Sequence, residues 1–157
     1  MKKQLKIDYE WLNHWKELPD TEYILVEKAF EAAEDAYAPY SSFHVGAAVL
    51  LADGTIIKGN NQENIAYPSG LCAERVALFY AGANYPNTIV KTIVVLAKGD
   101  LIAPDECVSP CGSCRQVIAE SEFRQKQDIR IVLIAQDGKT WIFNRIKDIL
   151  VFPFGVK

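Results

Sequence analysis

No stretch of this chain approaches the ~20 consecutive apolar residues that a bilayer crossing requires. Its first residues, Met1-Lys2-Lys3-Gln4-Leu5-Lys6, lack the apolar core of a secretory signal. The expectation is a cytoplasmic protein with no membrane partner. A basic excess is also missing. With a net charge of −3 the chain offers no positive face for phosphates, so a small molecule is the expected partner and nucleic acid is not. Histidine is scarce: the sequence holds only His14 and His44, and neither has ligand spacing. Repeats, linkers and low-complexity segments are absent. The 4 cysteines would pair as disulfides in a secreted protein, a context the sequence does not suggest.

What is present is ordinary globular material. The 157 residues are 50% apolar and 24% charged, enough for one domain with a real core. Residues 1–18 read as an N-terminal arm. Leu5, Ile7, Tyr9 and Trp11 alternate with charged residues as in a strand, whereas Trp11, Leu12, Trp15 and Leu18 suit a helical turn. The remainder, 19–157, reads as a single catalytic domain. A helix should open at Pro19-Asp20-Thr21 with a capping side chain and run to about Tyr37, before Pro39. Residues 43–51 and 55–59 form a hairpin about Asp53-Gly54. A helix over 71–83, a buried strand over 91–97 and a helix over 111–123 follow. Strands over 129–135 and 140–144, turning at Asp137-Gly138, lead to a last helical turn over 146–150. Helices alternating with strands predict an α/β fold, a three-layer α/β/α sandwich on a mixed five-stranded sheet.

The chemistry concentrates in Cys72-Ala73-Glu74-Arg75 and Pro110-Cys111-Gly112-Ser113-Cys114. Three gathered thiols point to one zinc ion per chain, and three ligands leave a fourth position for water. Cys72, Cys111 and Cys114 all open helices, whose N-terminal partial charge favours thiolates. Three thiolates still leave the metal centre negative, and Arg75, three residues after Cys72, can withdraw some of that charge by hydrogen bonding. Glu74 can stand beside the water as general acid and base without binding the metal. A lone helical glutamate is ordinarily solvated surface; its place between a ligand and Arg75 argues otherwise.

Zinc nucleobase deaminases carry His or Cys, one spacer, Glu, and a downstream Pro-Cys-x-x-Cys. The chain resembles the small, homotetrameric type of cytidine deaminase, within the cytidine/deoxycytidylate deaminase family. Residues 40–48, 61–64, 67–75 and 109–116 carry the likeness, which extends from about Ala29 to the C-terminus. It implies the same α/β/α fold and a zinc-dependent conversion of cytidine and deoxycytidine to their uracil counterparts, with ammonia released, in pyrimidine salvage. Glu74 would move protons from water to ring N3 and to the departing amine. Asn61 and Glu63, two apart on extended backbone and so on one face, would hold the ribose, and Glu63 would repel a 5′-phosphate. The likeness further implies that Phe43 stacks on the base, that the Ala73 N–H binds the base carbonyl, and that the Ser109 carbonyl receives the amine. It implies a homotetramer with shared active sites, in which Phe154 of the apolar tail 151–156 closes a neighbour's pocket. Two departures stand out: Ile65 replaces a usual small alanine, and the tail's proline, Pro153, is displaced.

Other classes remain: a deaminase of another aminopyrimidine nucleoside such as an antibiotic, a structural zinc module, or a C-x-x-C redox protein. The sugar-binding pair disfavours the first, the missing fourth ligand the second, and an idle Cys72 the third. Cys107 reads as a small buried thiol without a role.

Overall fold

A computed structural model describes residues 1–155; Val156, the end of the apolar tail, and Lys157 lie outside the described residues. The elements run β1 (Glu10–Leu12), α1 (Asp20–Glu34), β2 (His44–Leu51), β3 (Ile56–Asn60), α2 (Ala73–Asn84), β4 (Val90–Lys98), α3 (Gly112–Gln125), β5 (Arg130–Ile134) and β6 (Thr140–Phe143), with short 3-10 turns between. The strands form one mixed sheet in the order β1-β6-β5-β4-β2-β3. Among the described strands only the β4–β5 pair is parallel; α3 is the crossover that this pairing requires.

Both sheet faces are covered, and side-chain alternation divides the core accordingly. From β2 and β4, Ala48, Val94 and Leu96 face α1, meeting Leu25, Val26 and Ala29. Their neighbours Ala47, Val49 and Val95 face the other way, towards Ala73 and Ala77 of α2 and Ile118 of α3. These two layers on a mixed sheet are the predicted α/β/α sandwich. Close approach is permitted by glycine. A methyl group on Gly59 would stand 2.4 Å from the Ala73 carbonyl oxygen, so β3 can seat the first turn of α2 directly on its backbone.

The sheet has six strands, one more than expected, because β1 adds to the edge. Glu10 pairs with Ile142 and Leu12 with Thr140. Of the two patterns over 5–18, the extended one is realised only at Glu10–Leu12, residues 5–9 forming no strand, and the helical one only as a 3-10 turn, Trp15–Glu17. Trp15 then packs its ring 4.9 Å from Tyr23 of α1. His14 caps that turn by accepting the Lys16 N–H at 3.1 Å. Helix α1 has Pro19 at its cap without a side-chain bond, and Asp20 and Glu22 lie in its first turn where the helix dipole favours them. It stops at Glu34 instead of Tyr37, since Tyr37 turns extended to bridge Gln62.

Candidate active site

Two helix starts meet at one end of the sheet. Cys72 is the extended N-cap residue of α2, and Cys111 holds the same place on α3. Cys114 follows within the first turn of α3 and is fully buried. The Cys72 and Cys111 sulfurs are 4.0 Å apart and those of Cys111 and Cys114 3.6 Å, and all three lie within 4.8 Å of one another. Zinc–sulfur bonds of about 2.3 Å in a tetrahedral array place sulfurs about 3.8 Å apart. The spacing and the soft donor set therefore fit zinc. Among the described residues, no His, Asp, Glu or other Cys joins these three in the group.

The electrostatics favour a cation there. The Cys72 thiol is lowered to about 5, chiefly by a hydrogen bond from Cys114 and then by Arg75. Cys114 is pushed up by that same hydrogen bond and by its burial. Charge on one sulfur is a penalty for the other, and a metal ion between them relieves both. The Arg75 Nη2 donates to the Cys72 sulfur at 3.7 Å, where the sequence placed it. Its Nε is buried without a partner. Glu74 is only 4% exposed. Burial pushes its carboxyl above the usual carboxylate range, and the negative Cys72 sulfur adds to that.

A cleft of about 610 Å³ opens over these groups, and Phe43, Asn61, Glu63, Cys72, Glu74 and Ser109 all line it. Asn61 is already engaged: its Oδ1 accepts the Val45 N–H at 2.8 Å and its Nδ2 donates to the Phe43 carbonyl at 2.9 Å. One amide hydrogen and one oxygen lone pair stay free for a ligand. Glu63 accepts from Tyr40 N at 2.9 Å, Ser41 N at 3.2 Å and the Ser41 hydroxyl. The Ser41 hydroxyl is the main reason its carboxyl sits below the usual range. Ala73 is buried as the first residue of α2, where a helix N–H lacks an intrahelical partner. Phe154 is not brought to this cleft; it is 82% exposed. Gln116 Nε2 holds its carbonyl at 2.7 Å.

Arg115 is a site residue that the sequence did not single out. Its guanidinium donates to the Pro110 carbonyl at 2.7 Å, the Ser109 Oγ at 2.7 Å and the Ile149 carbonyl at 2.6 Å. It fixes the turn that presents Ser109 and Cys111. Its position right after Cys114 was the available signal, but a helical arginine reads as solvent-facing. Cys107 lies apart from the metal group, its thiol pushed up to about 11 by burial.

Residues 20–127 match the model of the cytidine and deoxycytidylate deaminase zinc-binding region. The chain belongs to this deaminase family. The matched region contains all three cysteines and Glu74, and it excludes the arm and the tail. Cytidine deaminase of Halalkalibacterium halodurans is 47% identical over 97 residues, covering 62% of this chain and 69% of the relative. That of Sporosarcina psychrophila is 50% identical over 96 residues, 61% of this chain and 66% of the relative. The crystal structure of cytidine deaminase from Burkholderia pseudomallei superposes with a TM-score of 0.73 at 38% identity, covering 84% of this chain and 98% of that one. The fold of this deaminase-family chain is thus that of solved cytidine deaminases. No helix among the described residues is long and apolar enough to cross a membrane.

Proposed function

We propose that this chain is a zinc-dependent cytidine deaminase, hydrolysing cytidine and deoxycytidine to uridine and deoxyuridine with release of ammonia. The observation that carries this reading is Glu74, a buried carboxyl beside a three-sulfur group on the floor of a cleft. A zinc ion held by Cys72, Cys111 and Cys114 supplies the Lewis acidity that makes water nucleophilic near neutral pH.

Glu74 takes one proton from the attacking water, and the water oxygen adds to C4 of the cytosine ring. Glu74 returns that proton to ring N3. The second water proton passes through Glu74 to the exocyclic amine, the C4–N bond breaks, and ammonia leaves behind a C4 carbonyl. A carboxyl raised by burial is suited to both accepting and donating near neutral pH. Phe43 stacks on the base, the Ala73 N–H binds its carbonyl oxygen, and the Ser109 carbonyl accepts from the amine. Asn61 and Glu63 hold the ribose at the mouth. An ionised Glu63 there disfavours a 5′-phosphate, so nucleosides are preferred to nucleotides.

The same reading includes a homotetramer in which Phe154 serves a neighbouring site. It is supported by the exposure of Phe152 and Phe154, 91% and 82%, on a tail anchored to α3 rather than folded over its own cleft.

The test is zinc content per chain together with ammonia release from cytidine, for the wild type and Glu74→Gln. The variant should keep its zinc and fold but lose at least roughly 10²-fold in turnover, because an amide cannot shuttle protons. Retention of a tenth of wild-type turnover would sink the mechanism.

A further inference from the structure

Ser41 sits in the turn before β2 and lines the cleft, yet none of the roles above uses it. Its hydroxyl touches two groups at once. It bonds to Glu63 Oε1, and it lies 3.0 Å from the Phe43 N–H. The proton assignment is forced: a backbone N–H can only donate, and an ionised carboxylate can only accept. The hydroxyl therefore accepts from Phe43 and donates to Glu63. One atom thereby fixes the residue assigned to the sugar relative to the residue assigned to the base.

The surroundings leave this turn little freedom. Ser42 has a positive φ of 54°, and its carbonyl lies against Gly99, where a methyl group would come within 2.7 Å. The Glu63 N–H is bonded to the Tyr37 carbonyl at 2.9 Å. These contacts hold the backbone on both sides without the hydroxyl, so removing it should release the Oε1 end of the carboxylate without unmaking the turn. The Tyr40 and Ser41 N–H groups hold the other carboxylate oxygen; the hydroxyl alone links Oε1 to the base-facing segment.

We propose that Ser41 is a positioning residue for nucleoside specificity, orienting the Glu63 carboxylate relative to Phe43 so that a sugar-bearing pyrimidine is bound in preference to the bare base. This rests on the ribose assignment of Glu63, and the test separates the two ideas. Steady-state kinetics with cytidine, and competition by free cytosine, are compared for the wild type, Ser41→Ala, Glu63→Ala and the double variant. Losing a hydrogen bond to a charged group should raise KM for cytidine roughly tenfold in Ser41→Ala, with kcat and cytosine affinity held within about twofold of the wild type. In the double variant the Ser41 substitution should have no further effect, because its target is gone. Ser41→Thr, which retains the hydroxyl, should restore KM. Overturning results are an unchanged KM in Ser41→Ala beside a raised KM in Glu63→Ala, additive effects in the double variant, or a fall in kcat with equal weakening of base and nucleoside. An unchanged KM in Glu63→Ala would remove the ribose assignment itself, and the proposal with it.

Discussion

Arg75 shows how one side chain can adjust a metal centre without touching the metal. It donates to the Cys72 sulfur at 3.7 Å and so draws negative charge away from a donor set that contains no neutral ligand. Arg75→Gln should therefore lower deaminase activity by roughly 10–100-fold, the usual effect of losing a ligand's hydrogen-bond partner. Its pH–rate profile should move to higher pH, since a more negative centre holds its water proton more firmly. An unchanged profile in a zinc-replete variant would show that the two helix ends suffice alone. At this scale the sequence was informative where chemistry demands a spacing: the three sulfurs and Glu74 stand together as the motif required. It was silent on Arg115 and Ser41, whose importance lies in what they bond to. Those partners, Ile149 and Glu63, are 34 and 22 residues away, and no local pattern encodes them.

Among the elements, α3 carries an unusual tie at its far end. Glu122 is 7% exposed, and its Oε1 accepts the N–H groups of Ile129 at 2.9 Å and Ile146 at 2.8 Å. One carboxyl oxygen thus joins the helix to the approach of β5 and to the turn after β6. Burial pushes the Glu122 carboxyl above the usual range despite these donors. A folded pKa above the unfolded one gives a contribution that is complete below the unfolded value and lost as pH rises through the folded value. Glu122→Gln keeps the accepting oxygen and removes the titration. Thermal unfolding followed from about pH 4 to 9 should show the wild type losing stability relative to the variant through the raised pKa. Parallel curves would contradict the assignment. The long elements were legible because their signals are strong: apolar runs on β2 and β4, with β-branched residues on β4, and helical spacing on α1. Their ends were not. The last turn expected of α1 is given up to a bridge between Tyr37 and Gln62, and the period over 5–18 is ambiguous until β6 supplies a partner for β1.

For the whole molecule, the tail and the cleft raise the question of assembly. Phe154 is exposed and outside its own cleft, so an active site completed by a neighbour's Phe154 predicts complementation. Inactive Glu74→Gln subunits mixed with impaired Phe154→Ala subunits should regain part of the wild-type activity once they exchange. No recovery, with exchange verified by sedimentation or mass measurement, would count against sharing; a monomeric protein would end the idea. The three sulfurs have a second consequence. Cys72 and Cys111 are 39 residues apart in the chain, with all of α2 and β4 between them. A metal that grips both is a clasp as well as a reagent, because it shortens the freedom of the unfolded chain. By analogy with a covalent link closing a loop of this size, the clasp is worth about 4 kcal/mol. Chelation should accordingly lower the Tm by roughly 10 °C. Amide hydrogen exchange should accelerate first at the Cys72 and Cys111 ends of α2 and α3 while their opposite ends, packed against β4 and β5, stay protected. The centre that would break a carbon–nitrogen bond would then also be the buckle that keeps the two helices facing the same cleft.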